Sequence, residues 1–301
     1  MYLRYYNMTE MPFALLPDTN FFYESDSYKE ALNVLLVAIR SGEGFVKVTG
    51  EVGTGKTMLC RKLLNSLSDR YLTVFIPNPY LTPNQLRMAL ADELGVEYGR
   101  NDTDEISGYR LLNDITRRLI ELNKAGKHVV VCLDEVQAMP IETLEALRLI
   151  SNIETEKSKL LQIILFGQPE LDERLGSKCN RQLKQRISFS YRLLPVDRKS
   201  LSGYINHRLR VAGYSGGELF TPRAIARIHK HSKGVPRIVN TLCNKALILA
   251  FGQGKNNVTC KHVNIAIADD SDDRKLPVGK ALVLAASFSM AVSVSIWVLL
   301  T

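Results

Sequence analysis

The stretch FVKVTGEVGTGKTMLC, residues 45–60, decides the architecture. Phe45 to Thr49 is apolar and β-branched enough to read as a short strand, and Thr57 to Leu67 carries apolar residues at helical spacing. Between them, Gly50-Glu51-Val52-Gly53-Thr54-Gly55-Lys56-Thr57 fits the spacing GxxxxGK[ST]. Glycines at these places let successive backbone N–H groups turn toward one point, and the following helix adds its positive dipole end there. That arrangement cradles a phosphate chain. Lys56 supplies a point charge for the outer phosphates, and the Thr57 hydroxyl is a Mg2+ ligand. The expected ligand is therefore a nucleoside triphosphate, ATP, held by Gly50, Glu51, Val52, Gly53, Thr54, Gly55, Lys56, Thr57 and Met58.

A second stretch completes such a site. Val129 to Leu133 is a continuous apolar run, as expected of a strand buried on both faces of a parallel sheet, and Asp134-Glu135 follow it directly. Both acids then emerge at the carboxyl edge of the sheet, where ligands bind. Asp134 is the candidate metal ligand and Glu135 the candidate general base toward water. Gln168 follows another apolar strand (Ile163 to Phe166) and lies within reach of the last phosphate or the attacking water. Gly234-Val235-Pro236-Arg237 opens a helix with proline at its first position. Arg237 then projects from the first helical turn toward the phosphates, across a cleft between two domains.

Outward from these motifs the chain alternates. Helix is expected over Ser27 to Arg40, a strand over Leu72 to Ile76, and a helix from the Thr82-Pro83 cap to Leu94. The polar stretch Glu97 to Ser107 reads as a loop, and Tyr109 to Asn123 as an amphipathic helix. Helix Ile141 to Ile153 and strands Leu160 to Phe166 and Ile187 to Leu193 follow. Alternation of this kind implies βαβ crossovers and a parallel sheet flanked by helices. After Pro195 only helices are expected, from Arg198, Pro222, Pro236 and Lys261, which make a helical lid. The expected division is an N-terminal wrap and helix (1–43), an α/β domain (44–194), a lid (195–268) and a linker (269–280).

Residues 281–300 hold no charge, and at ~1.5 Å per residue twenty residues span about 30 Å, the depth of a bilayer core. Arg274, Lys275 and Lys280 precede this run and nothing basic follows it, so the positive-inside rule places residues 1–280 in the cytoplasm. The N-terminal residues Met1 to Tyr6 lack the apolar core of a leader.

Composition excludes a disordered chain: 46% of the 301 residues are hydrophobic and 23% charged. The formal charge of +8 suits an anionic partner without choosing one. Cys60, Cys132, Cys179, Cys243 and Cys260 lie far apart with no CxxC pair and read as reduced thiols. His229, His231, Cys260 and His262 are too poorly spaced to count as a metal set.

Taken together, these motifs resemble the AAA+ ATPases. Within these, PFALLPDTNFFYES, GEVGTGKT, LDEVQAMP, LFGQPEL, QLKQRI and GVPRIVN are similar to the ExeA/GspA-type secretion ATPases, and IPNPYLTPNQL to their MshM-type members of mannose-sensitive haemagglutinin (MSHA) pilus biogenesis. The resemblance implies that Gln168 takes the sensor-1 place and Arg237 the sensor-2 place. It offers Arg186 as an arginine finger, with Arg181 second, acting on a neighbouring subunit in a ring or filament. It further implies an inner-membrane pilus or secretion assembly partner, with the apolar tail as tether. Transposition target-selection and origin-binding ATPases share the same core and form the rival, nucleic-acid-linked class. The apolar tail, and the lack of a recognisable winged-helix or helix-turn-helix segment, argue against that class.

Overall fold

The computed structural model describes residues 2–98, 105–155, 159–177 and 180–273. A one-turn helix α1 (Tyr2–Tyr5) leads into an irregular strap, then α2 (Asp26–Arg40). The sheet that follows has five strands: β1 (Phe45–Thr49), β2 (Tyr71–Ile76), β3 (His128–Leu133), β4 (Leu161–Gly167) and β5 (Ile187–Arg192). They pair in parallel in the order β2-β3-β4-β1-β5. Between them run α3 (Lys56–Ser66), α4 (Pro83–Leu94), α5 (Glu105–Lys124) and α6 (Ile141–Ile150).

The period of two along each strand divides the core into two layers. Val129, Val131, Leu133, Ile163 and Leu165 pack with Leu86 and Leu90 of α4, Ile115 and Leu119 of α5, and Leu144 and Leu147 of α6. Their strand neighbours Val46, Val48, Val130, Cys132, Ile164 and Phe166 face α2 and α3 instead. Each such buried aliphatic contributes about 1.5–3 kcal/mol, which is why the central strands β3 and β4 are apolar at nearly every position. The Thr82 cap forms as expected: Gln85 N donates to Thr82 Oγ1 at 3.3 Å and Thr82 N to Gln85 Oε1 at 2.9 Å.

Two short helices, α7 (Glu170–Gly176) and α8 (Arg181–Arg186), stand between β4 and β5 where no element was expected. At 7 and 6 residues, neither is long enough to display an apolar stripe in sequence. Helix α5 also starts at Glu105, inside the stretch expected as loop, of which residues 99–104 lie outside the described residues.

Past β5 the chain is helical: α9 (Leu201–Val211), α10 (Pro222–Ser232), α11 (Pro236–Gly252) and α12 (Cys260–Asp273). Ile205, Leu209, Ile228, Leu242, Leu247 and Val263 form a separate core here, and Tyr6, Met8 and Phe13 from the N-terminus complete it. Thr9 N donates to Ala212 O at 2.8 Å, and the Tyr6 hydroxyl to Lys255 O at 2.9 Å. The wrap thus closes the core of the lid, while α2 packs on the sheet. Where β5 passes into the lid, Val196 N donates to Gly234 O at 3.0 Å. Gly234 has φ +77°, and a Cβ there would meet Val196 O at 1.9 Å, so only glycine fits.

Cys60, Cys132, Cys243 and Cys260 are free thiols, and Cys179 lies outside the described residues. Among the described residues no helix is long and apolar enough to cross a membrane. The expected span at 281–300 and the linker from 274 lie outside them.

Candidate nucleotide site

Strand β1 delivers Gly50 and helix α3 starts at Lys56, so regular structure fixes both ends of the loop. Gly50 N donates to Gly167 O at 3.1 Å, which ties the loop to the end of β4. Thr54 Oγ1 donates to Glu51 O at 2.8 Å, and the buried Tyr28 hydroxyl of α2 donates to Thr54 O. Lys56 Nζ donates to Gly50 O at 2.9 Å and Glu51 O at 3.2 Å. Only 4% of Lys56 is exposed. Burial pushes its ammonium pKa down, against the opposing pull of Glu135, Asp134, Glu51 and Glu170.

Thr57 Oγ1 donates to Asp134 Oδ2 at 2.5 Å, joining the start of α3 to the end of β3. Burial raises the Asp134 carboxyl pKa, although hydrogen bonds from Thr57 and from Glu135 N oppose it. A hydroxyl and a carboxylate this close are hard oxygen donors that fit Mg2+, which takes one or two protein ligands and completes its shell with phosphate and water. Thr57 and Asp134 would hold it there. Among the described residues no group of three or more His, Cys, Asp and Glu side chains converges on a metal position. His262 is instead satisfied by Thr259 N at 3.0 Å and Gln253 Oε1 at 3.2 Å.

Glu135 sits at φ +52°, ψ +35°, a left-handed conformation that costs a non-glycine residue about 1 kcal/mol or more. Its N–H donates to Asp134 Oδ1 at 2.9 Å, which holds the turn. One carboxylate oxygen, Oε2, accepts from Gln137 Nε2 at 2.6 Å and from Gln168 Nε2 at 3.0 Å. Burial raises the Glu135 pKa, but these two amides and the Lys56 charge outweigh it and leave the carboxyl below its ordinary value. Gln168 is therefore bound to the candidate base. Gln137 was missed in the sequence. Its Oε1 also accepts from Gln168 N at 2.9 Å, and Arg174 of α7 donates to the carbonyls of Gln137 and Met139. The short helix α7 thus braces the loop that carries the carboxylate.

The lid closes the site from the other side. Arg237 N donates to Gly53 O at 3.2 Å. Gly53 has φ +77°, and a Cβ there would sit 2.6 Å from Arg237 Cβ, so the loop and α11 meet only through glycine. A cavity of about 340 Å³ lies at this junction, the size of a small-molecule site. Gly53, Lys56, Thr57, Met58, Glu135 and Arg237 line one part of it; the strap at 14–17 and 21–23, with Tyr204, Arg208 and Asn240, lines the other.

The structure does not bring Arg186 to this cavity. It donates to Ser151 Oγ at 3.2 Å and precedes Ile187, which pairs with Phe45 at the start of β1. The loop follows the end of that strand, roughly 16 Å away at about 3.3 Å per residue. Arg181 opens α8, also before β5.

A parallel sheet of this strand order, a phosphate-type loop between β1 and α3, acids after β3 and a helical lid make up the AAA+ type of P-loop α/β fold. Residues 39–175 match the family model described as an AAA domain. Over 275 residues the chain is 40% identical to the General secretion pathway protein A of Aeromonas hydrophila, covering 91% of this chain and 49% of that protein. The chain spans about half the length of that relative. Among solved structures, the Aeropyrum pernix ORC1 protein in complex with DNA matches with a TM-score of 0.62 at 21% identity, over 92% of this chain and 75% of that one. Cdc6p from Pyrobaculum aerophilum matches with a TM-score of 0.61 at 15% identity, over 80% of this chain and 68% of that one. At these identities the likeness speaks for the fold alone.

Proposed function

We propose that this chain binds ATP with Mg2+ and hydrolyses it, as a membrane-tethered ATPase serving the assembly of a type IV pilus of the MSHA kind or a type II secretion complex. The convergence of Lys56, Thr57 and Glu135 on one cavity, with Asp134 bonded to Thr57 and Arg237 of the lid above, carries the hydrolytic part. The loop N–H groups and Lys56 take the β- and γ-phosphates. When bound, Mg2+ neutralises charge on those phosphates. Glu135 accepts the proton of the attacking water, Gln168 orients that water or the carboxylate, and Arg237 faces the γ-phosphate from the lid. The likeness to a secretion-pathway protein and the apolar run at 281–300 support the assembly and tether parts. Purified full chain releases phosphate from Mg-ATP on this reading, and the protein stays with membranes through carbonate extraction. Release of the intact chain into the carbonate supernatant overturns the tether.

Because Arg186 stands at the opposite end of the strands from its own cavity, the role proposed for it is in trans. Self-association in a ring or filament would bring it to a neighbour's nucleotide. Arg186→Ala is expected to lower turnover about 10³-fold or more while leaving ATP affinity within a few-fold. Specific activity of the unaltered chain should rise with protein concentration. Activity independent of concentration, or unchanged in the variant, removes Arg186 from this role.

A further inference from the structure

The N-terminal strap crosses from one body to the other. Tyr6, Met8 and Phe13 belong to the lid core, and α2 belongs to the sheet. Between them, the strap at 14–17 and 21–23 forms the wall of the cavity away from the phosphate loop. Beyond a 3-10 turn at Thr19–Phe21 and the Arg61 bond to Pro17 O at 3.1 Å, this stretch has no ladder to hold its carbonyls, so its first part needs another partner to fix its path.

The geometry points to Arg208 of α9 as the positioning residue that shapes this wall, and so sets the affinity for the base and sugar end of a nucleotide. Arg208 is 4% exposed. Its Nε donates to Pro12 O at 2.5 Å and its Nη2 to Ala14 O at 3.1 Å, while Nη1 reaches the Tyr204 hydroxyl at 3.4 Å. The guanidinium carbon lies 4.8 Å from the centre of the Phe21 ring, so the same side chain stacks on the strap further along. Tyr204 passes the link on, donating to Asn240 Oδ1 of α11 at 2.8 Å. That bond leaves the Asn240 amide N–H groups as donors at the cavity, suited to a ring nitrogen or carbonyl of a base. One planar fork therefore joins the strap, α9 and the helix that carries Arg237. Lysine cannot reproduce it, because a single ammonium lacks the paired, fixed donors.

This inference rests on reading the cavity as a nucleotide site, and it separates the two ends of that ligand. The phosphate end is held by β1, α3 and the Gly50–Gly167 bond, none of which involves Arg208. Titration calorimetry of the full chain with Mg-ATP and with inorganic tripolyphosphate reads the ends apart. In both Arg208→Lys and Arg208→Met, ATP affinity should fall about tenfold, the cost of re-ordering a few strap groups on binding, while tripolyphosphate stays within about twofold. Arg208→Lys keeps the charge and most of the volume, so it serves where the Met variant fails to fold. Equal weakening of both ligands, or of neither, overturns the positioning role. Unaltered protein that binds neither ligand overturns the nucleotide reading, and this inference with it.

Discussion

Glu135→Gln should abolish turnover while sparing binding. Loss of a general base costs about 10²–10⁴-fold in rate. The substitution is close to isosteric, so the backbone turn held by the Glu135 N–H to Asp134 bond at 2.9 Å persists. A carboxamide oxygen at the same place still accepts from Gln137 and Gln168, so the loop keeps its brace and only the proton-accepting charge is lost. Lys56 and Thr57, the proposed contacts to the phosphates and the metal, are untouched. The check is steady-state phosphate release beside equilibrium ATP binding. Turnover within a few-fold of the unaltered chain would remove Glu135 from the base role. Equal loss of binding would mean that the variant had disturbed the loop rather than the chemistry.

The two amides on Oε2 sharpen what this residue must do. A carboxylate accepting two N–H bonds is a weaker base than a free one, because both bonds favour its charged form. Gln137 and Gln168 therefore hold Glu135 ionised and aimed, at some expense in basicity. For Glu135 to take a proton from water, the other oxygen must face the water or one amide must let go. The site as arranged reads as a poised carboxylate rather than an already engaged one.

Which parts were legible follows from how local each signal is. The loop from Gly50 to Thr57 and the run Val129 to Glu135 encode their own geometry: each is a strand with its continuation, and flanking residues alone place Lys56, Thr57, Asp134 and Glu135. Pro236 marks a helix start, so Arg237 was placed by the same logic, and its bond to Gly53 falls where that logic puts it. Gln137 could not be reached this way. It lies on a single 3-10 turn entered through a left-handed glutamate, and no spacing rule announces such a turn. Arg208 is harder still, since its carbonyl partners are 196 and 194 residues away in the chain. The strap shows only Pro and aromatic residues in sequence, and nothing local says that its first part belongs to a core built from α9 to α12. Long-range packing settled that, as it settled the short helices α7 and α8.

Lys56→Met should separate stability from ligand response. In the absence of nucleotide Lys56 is buried, and that burial disfavours its charge. Methionine fills a similar volume without that charge. Against this gain stands the loss of the donor to Gly50 O at 2.9 Å, about 1 kcal/mol or more for an orphaned carbonyl. Glu51 O is spared, because Thr54 Oγ1 still donates to it at 2.8 Å. Desolvating a charge costs several kcal/mol and outweighs the pull of the four nearby carboxylates on Lys56, so set against one orphaned carbonyl the relief wins or the two cancel. The nucleotide-free melting temperature of the variant is therefore expected to equal or exceed that of the unaltered chain. Binding moves the other way. Losing a charged donor to phosphate removes about 3 kcal/mol, on the order of a hundredfold in affinity. At ATP near 100 times the dissociation constant, the unaltered chain gains about 2.7 kcal/mol of stability, and the variant at the same concentration gains about 0.4. Melting curves with and without Mg-ATP make the comparison directly. A variant that melts well below the unaltered chain without nucleotide would show that Lys56 is structural, and one that keeps the full nucleotide shift would show that the phosphates do not rest on it.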